Sequence, residues 1–329
     1  MCRRMFFCFA FVMVVFFSSA QSTKPVSIIF DSDMGPDYDD VGAIALLHAF
    51  ADSGYVKVLA TVASTRYQRV AGVFDVLNTY FNRPGIPIGV PHRTGLDIRD
   101  PQHWSDSLLA AYPHTIQKNE QVPESVEVYR KVLSQQPDNS VTIVTVGFFT
   151  NLADLLKSAG DLYSPLTGAE LVQKKVKLLV SMAGTFPAGK EFNVMKDAAA
   201  SRYVVTHWKT PVIYSGFEIG KKIFSGLPLI QNSNIQNSPV KDVFRISIPL
   251  AKQDSAGRMS WDETAVLIAA KGYEPYYTLH KGAMEVAADG SNTWNDKGKN
   301  QAYVVEKVPP KVVEHIINTT MMHQPMKKP

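Results

Sequence analysis

SIIFDSDMGPDYDDVGAIALL, residues 27–47, decides how this chain folds. Ile28, Ile29 and Phe30 form a short apolar run suited to a central strand. Gly35 and Pro36 break it. Asp39 and Asp40 stand where a helix would begin, and Val41, Ile44, Ala45 and Leu47 supply its apolar face. Five carboxylates, Asp31, Asp33, Asp37, Asp39 and Asp40, fall within ten residues. Two carboxylates about 5 Å apart repel by roughly 3 kcal/mol at an effective dielectric of about 20. A loop that gathers several therefore needs a cation, or keeps some of them protonated. Oxygen ligands without a nearby Cys or His favour a hard cation, Ca²⁺ or Mg²⁺. Helix capping alone accounts for Asp39 and Asp40 but not for Asp31 and Asp33 at the strand end.

An EF-hand loop counted from Asp31 would need Gly at its sixth position and Glu at its twelfth. Pro36 and Gly42 stand there, so that reading fails. A haloacid-dehalogenase-like, Mg²⁺-dependent phosphatase also places Asp-x-Asp after an apolar strand and stays open as an alternative. DSDMGPDYDDVGA most resembles the N-terminal signature of the nucleoside hydrolase family, DTDPGxDDxxA, with two extra residues before the paired acids.

The 329 residues are 45% hydrophobic and 19% charged, an ordinary globular composition. A net charge of +4 is too small to imply nucleic acid or an anionic membrane as a partner. Residues 1–20 read as a secretory signal peptide: Arg3 and Arg4, an apolar stretch from Met5 to Phe17, then Ser18-Ser19-Ala20. The expected mature chain, residues 21–329, is a single α/β domain, secreted or periplasmic, with no membrane attachment after cleavage. Cys2 and Cys8 lie inside the leader, which leaves the mature chain no disulfide and no thiolate ligand.

Beyond the opening unit, Val56–Ala63 reads as a strand, 69–81 as a helix and Ile86–Val90 as a third strand, the rhythm of parallel βαβ units. The proline-rich stretch 91–123 reads as loop with short helical pieces over the ligand site. A helix over 124–135 follows, then a buried strand from Ser140 to Val146, with Thr150 as N-cap of a helix over 151–158. Strands at 176–182 and 212–215 flank a helix over 197–208. Residues 225–260 show no clear periodicity. A helix opened by Asp262, strands near 276–286 and 302–307, and a short helix over 310–318 complete the chain. The expected fold class is a mostly parallel central sheet flanked by helices, with a Rossmann-like core.

The resemblance continues in VTIVTVGFFTN, from Val141, EFN, from Glu191, and SWDETAVLIAA, from Ser260. It implies a Ca²⁺-dependent hydrolase that splits the N-glycosidic bond of a nucleoside or related N-riboside. It implies Asp33, Asp40, Asp262 and the Val146 carbonyl as metal ligands, with Asp33 also activating water. Asp39, Glu191 and Asn193 would contact the ribose. Three positions depart from the family pattern. Thr65 and Thr185 stand near places that usually carry Asn, and Trp261 stands where many members have a His that protonates the leaving base. Indole N–H cannot serve as that acid, so Trp261 is left to stack on the base or pack. His103, in the long loop, is a conceivable substitute acid. A non-catalytic ribose- or sugar-binding protein stays open, as does a homo-oligomer.

Overall fold

The structure, a computed structural model, describes residues 24–325. The expected signal peptide and both cysteines lie outside the described residues. The strands are β1 (Val26–Ser32), β2 (Val56–Ala63), β3 (Ile88–Gly89), β4 (Val141–Thr145), β5 (Val176–Met182), β6 (Ala188–Gly189), β7 (Val212–Ser215), β8 (Phe224–Ser225), β9 (Arg258–Met259), β10 (Tyr277–Val286), β11 (Asn292–Asn295) and β12 (Gln301–Glu306). Ten of them form one sheet in the order β3-β2-β1-β4-β5-β7-β12-β10-β11-β6, and β8 and β9 pair as a separate ribbon. From β3 to β12 the pairing is parallel; β10, β11 and β6 add an antiparallel extension. The mostly parallel, helix-flanked sheet is the fold class expected from the sequence.

Helices fill the intervals: α1 (Asp39–Asp52), α2 (Val70–Tyr80), α3 (Trp104–Ala111), α4 (Ser125–Ser134), α5 (Thr150–Lys157), α6 (Gly168–Lys175), α7 (Phe192–Lys196), α8 (Ala198–His207), α9 (Phe217–Gly220), α10 (Leu227–Gln231), α11 (Pro239–Leu250), α12 (Trp261–Lys271) and α13 (Pro310–Met321). Alternation along the central strands feeds two cores. Ile28, Phe30, Val144 and Val180 join the side chains of α1, α2, α11, α12 and α13. Ile29, Ile143 and Leu179 join those of α4, α5, α6 and α8. Strands buried on both faces read as continuous apolar runs, which is why β1 and β4 stand out in the sequence.

The structure departs from the sequence reading at several places. Thr150 is the first residue of α5, not its cap; Phe149 precedes the helix, and the Thr150 hydroxyl donates instead to Asp197 at 2.5 Å. Helix α12 starts at Trp261 behind Ser260, so Asp262 lies in its first turn rather than opening it. Helix α13 runs on to Met321. The 225–260 region, read as lacking periodicity, contains α11, which buries the helical stripe Val240, Val243, Phe244, Ser247 and Ile248 and whose start carries a legible signal: Ser238 Oγ accepts from Lys241 N, and Pro239 takes the first helical position.

Chain order reverses between β1 and β4, the two neighbours at the centre of the parallel sheet. The carboxyl ends of strands at such a reversal form a crevice for ligands. Asp33 follows β1 there, and Val146 follows β4.

One buried side chain in α1 makes the fold acid-sensitive. His48 stacks on Phe81 at 4.7 Å, and its Nε2 lies 3.1 Å from Asn78 Oδ1. Asn78 spends its amide N–H on Thr61, so His48 Nε2 is the donor. Burial pushes the His48 pKa down to about 3, helped by Arg83. The unfolded chain then binds more protons than the folded one between roughly pH 6.5 and 3, and stability falls as pH drops through that window. Urea unfolding of wild type and His48→Gln should show the wild type losing up to about 1.4 kcal/mol per pH unit relative to the variant there.

Candidate active site

Eight residues assigned to the site from the sequence line one cavity: Asp33, Asp39, Asp40, Val146, Glu191, Asn193, Trp261 and Asp262. Asp37, Met182 and Phe217 complete its wall. Asp31 does not reach it. Its Oδ2 accepts from Tyr129 Oη at 2.7 Å and Asn151 Nδ2 at 3.0 Å, and Asn151 also donates to Ala63 O. Asp31 therefore ties β1 to β2, α4 and α5 from behind. A phosphatase nucleophile would have to face the cavity.

The turn after β1 is held by its own side chains. Ser32 Oγ donates to Asp40 Oδ1 at 2.5 Å, and Met34 N donates to Ser32 Oγ at 3.0 Å. Met34 sits at φ +28°, the left-handed bend that turns the chain back toward α1. Behind the turn, Gly147 must lack a side chain: a Cβ there would overlap the Asp33 backbone nitrogen and the Ser64 hydroxyl.

Carboxylate oxygens of Asp39, Asp40 and Asp262 lie within 4.8 Å of one another. Asp33 abuts the Asp40 carboxyl. Burial pushes Asp33 and Asp262 well above the usual carboxylate range, and their acidic neighbours add to the shift. Burial, then Asp39, raises Asp40 to about 7. Asp33 Oδ2 and Asp40 Oδ2 are buried with no hydrogen-bond partner among the described residues. Orphaned acceptors in a cluster of repelling acids fit a hard divalent cation. Geometry alone groups Asp39 with Asp40 and Asp262, but the Asp39 oxygens are already engaged. The fully buried unpartnered oxygens of the cavity belong to Asp33 and Asp40.

The partner of Asp39 is Arg258, which the sequence reading missed. Arg258 Nε and Nη2 donate to Asp39 Oδ1 at 3.0 and 2.7 Å. Nη2 lies 2.6 Å from Asp37 Oδ1, and Nη1 lies 3.6 Å from Asp254 Oδ2. Backbone N–H groups of Trp261 and Asp262 approach Asp39 Oδ2 at 3.2 and 3.4 Å. Burial would lower the Arg258 pKa, but Asp39, Asp37 and Asp254 outweigh it and hold it well above the usual value. Asp37 and Tyr38 immediately precede the acid pair, where the loop is two residues longer than the family pattern. Both face Arg258: the Tyr38 ring lies 4.9 Å from the guanidinium, and Tyr38 Oη donates to Asp254. The β8–β9 ribbon that carries Arg258 thus clamps the lengthened loop. Its only sequence signal is charge: five acids in one loop require a counter-ion.

Glu191 precedes α7 and accepts Asn193 N on Oε1 and Gly184 N and Val194 N on Oε2. Burial nevertheless raises it to about 7. Asn193 Nδ2 donates to Val146 O at 2.9 Å, which fixes the amide beside that carbonyl. Trp261 stacks on Phe217 at 5.2 Å and 23°, and its Nε1 donates to Phe217 O at 2.9 Å. Thr65 holds the long loop through Leu96 O at 2.8 Å, and Thr185 is bonded to Asn292. His103 is exposed beside Asp106 and lines no part of the cavity.

A chain with this sheet and this acid cavity belongs to the inosine-uridine preferring nucleoside hydrolase family, whose sequence pattern matches residues 28–314. Among its relatives is the pyrimidine-specific ribonucleoside hydrolase RihA of Enterobacter sp. (strain 638), 28% identical over 235 residues covering 68% of this chain and 67% of that protein. The chain thus spans about two thirds of the length of the curated relatives it matches. Solved structures with its fold include the following two. A plant nucleoside hydrolase, PpNRh1, is 19% identical with a TM-score of 0.70, covering 91% of this chain and 99% of that one. A purine-preferring ribonucleoside hydrolase from Gardnerella vaginalis is 16% identical with a TM-score of 0.70, covering 90% and 99%.

Removing the guanidinium should be costly, because three acids lose their counter-charge. Arg258→Ala is expected to lower stability by about 3–5 kcal/mol in urea unfolding without added cation. A loss below about 1 kcal/mol, the range of an exposed ion pair, would contradict this placement.

Proposed function

We propose that this chain hydrolyses the N-glycosidic bond of ribonucleosides or related N-ribosides to ribose and a free base, with bound Ca²⁺. One observation carries the reading: Asp262, from the distant C-terminal part of the chain, meets Asp40 and Asp33 around buried, unpartnered oxygens. Asp33, Asp40, Asp262 and the Val146 carbonyl would hold the ion, an all-oxygen set suited to Ca²⁺. When bound, it supplies positive charge that acidifies neighbouring water. Asp33 takes the proton of the attacking water. Asp39, pinned by Arg258, contributes fixed negative charge beside the pentose as positive charge develops on the ring. Glu191 keeps one acceptor direction for a sugar hydroxyl, since its other three take backbone N–H groups. Asn193 steadies the Val146 carbonyl and offers its Oδ1 to a second hydroxyl.

A ribose-binding protein without turnover is the second reading, favoured by the occupied indole N–H of Trp261. Base release from inosine and uridine, followed with and without chelator, separates the two. Chelation should abolish release, and Ca²⁺ at about 100 times its Kd should stabilise the fold by about 2.7 kcal/mol in thermal unfolding. Asp262→Asn should lose both effects. Undiminished release in chelator contradicts the metal assignment; ribose binding without release favours the second reading.

In this reading residues 1–20 act as a cleaved signal peptide and residues 21–329 as one domain outside the cytosol. Secreted or periplasmic protein should begin near Gln21 on N-terminal sequencing. An intact Met1 contradicts cleavage.

A further inference from the structure

Departure of the base is the step for which this cavity holds no His, Tyr, Lys or Cys side chain as proton donor. Trp261 stands where the leaving-group acid is expected, and its only N–H is spent on Phe217 O. Among the described residues, no His, Tyr, Lys or Cys lines the cavity. Its carboxyl groups are already engaged elsewhere. Glu191 accepts three backbone N–H groups, and Asp37 and Asp39 are ion-paired with Arg258. Asp33, Asp40 and Asp262 face one another around the site assigned to the ion.

The cavity also favours positive charge. Six carboxyl groups line it: Asp33, Asp37, Asp39, Asp40, Glu191 and Asp262. A divalent ion and Arg258 together supply only three positive charges against them. Asp37, an acid of the lengthened loop, keeps its side chain 42% exposed at this wall. The stacked rings of Trp261 and Phe217 add aromatic surface, which attracts cations.

Resting on the hydrolase reading above, we propose that the preferred substrates are N-ribosides whose ring system is already positively charged, such as pyridinium ribosides and N7-alkylated purine ribosides. For these no acid is needed. Water oxygen bonds to C1′, the C1′–N bond breaks, and its electron pair returns to the ring, which leaves uncharged. One water proton passes through Asp33 to solvent. A cationic riboside and water thus give ribose, neutral base and one proton.

The test compares kcat/KM within pairs that differ in charge: 7-methylguanosine with guanosine, and ribosylpyridinium with uridine, each corrected for its uncatalysed rate. In both pairs the charged member should lead by roughly 100-fold or more, the least that a missing general acid costs its neutral counterpart. Rising ionic strength should erode kcat/KM for the charged members and spare the neutral ones. Trp261→His should raise guanosine cleavage at least about tenfold and so narrow its pair. Neutral members within tenfold of their charged partners overturn this substrate class and leave the hydrolase reading intact. No cleavage of any of the four overturns both.

Discussion

Mutual repulsion among buried carboxylates is the constraint on which this molecule depends. Asp33, Asp39, Asp40, Glu191, Asp262 and Glu263 are all nearly inaccessible to solvent and belong to one neighbourhood. Burial drives each upward in pKa, and the aspartates raise one another further. The fold tolerates this because it brings counter-charge to the acids. Arg258 neutralises one side, and the unpartnered oxygens of Asp33 and Asp40 leave room for a cation on the other.

The two halves of this compensation differ in origin. The acids assigned to the proposed cation follow the family pattern: Asp33 after β1, Asp40 in the first turn of α1 and Asp262 in the first turn of α12. Arg258 lies against two of the departures, the lengthened loop and Trp261. The lengthened loop brings Asp37 and Tyr38 against the guanidinium, and Asp254 closes the group from the ribbon side. Arg258 also lies 5.0 Å from the Trp261 ring. A changed loop and a changed base wall thus meet at one side chain, while Asn193 and Val146 keep the opposite wall in place.

Much of this was legible because it is local. Apolar runs marked β1 and β4, and the crowding of acids in residues 31–40 marked a loop that could not stand uncompensated. The cavity residues were found because short motifs resemble the family's, several of them where a parallel sheet exposes its strand ends. What stayed hidden depends on distance in sequence. Nothing near Arg258 announces that it reaches Asp39, and Asp31 reads like its neighbours until Tyr129 and Asn151 show it turned away. Thr150 looked like a cap because caps are local, but a partner in a later segment, Asp197, takes its hydroxyl. Helix α11 was missed although it was local: Val240, Val243, Phe244, Ser247 and Ile248 form a helical stripe, and Ser238 and Pro239 mark its beginning.

The cation is the centre of this account, and an anomalous-difference map from crystals grown with Ca²⁺ locates it directly. The expected result is a single strong peak enclosed by the carboxylates of Asp33, Asp40 and Asp262 and the Val146 carbonyl, with Arg258 still on Asp39. A cavity without a peak at saturating Ca²⁺, or a peak bound elsewhere on the surface, would contradict it.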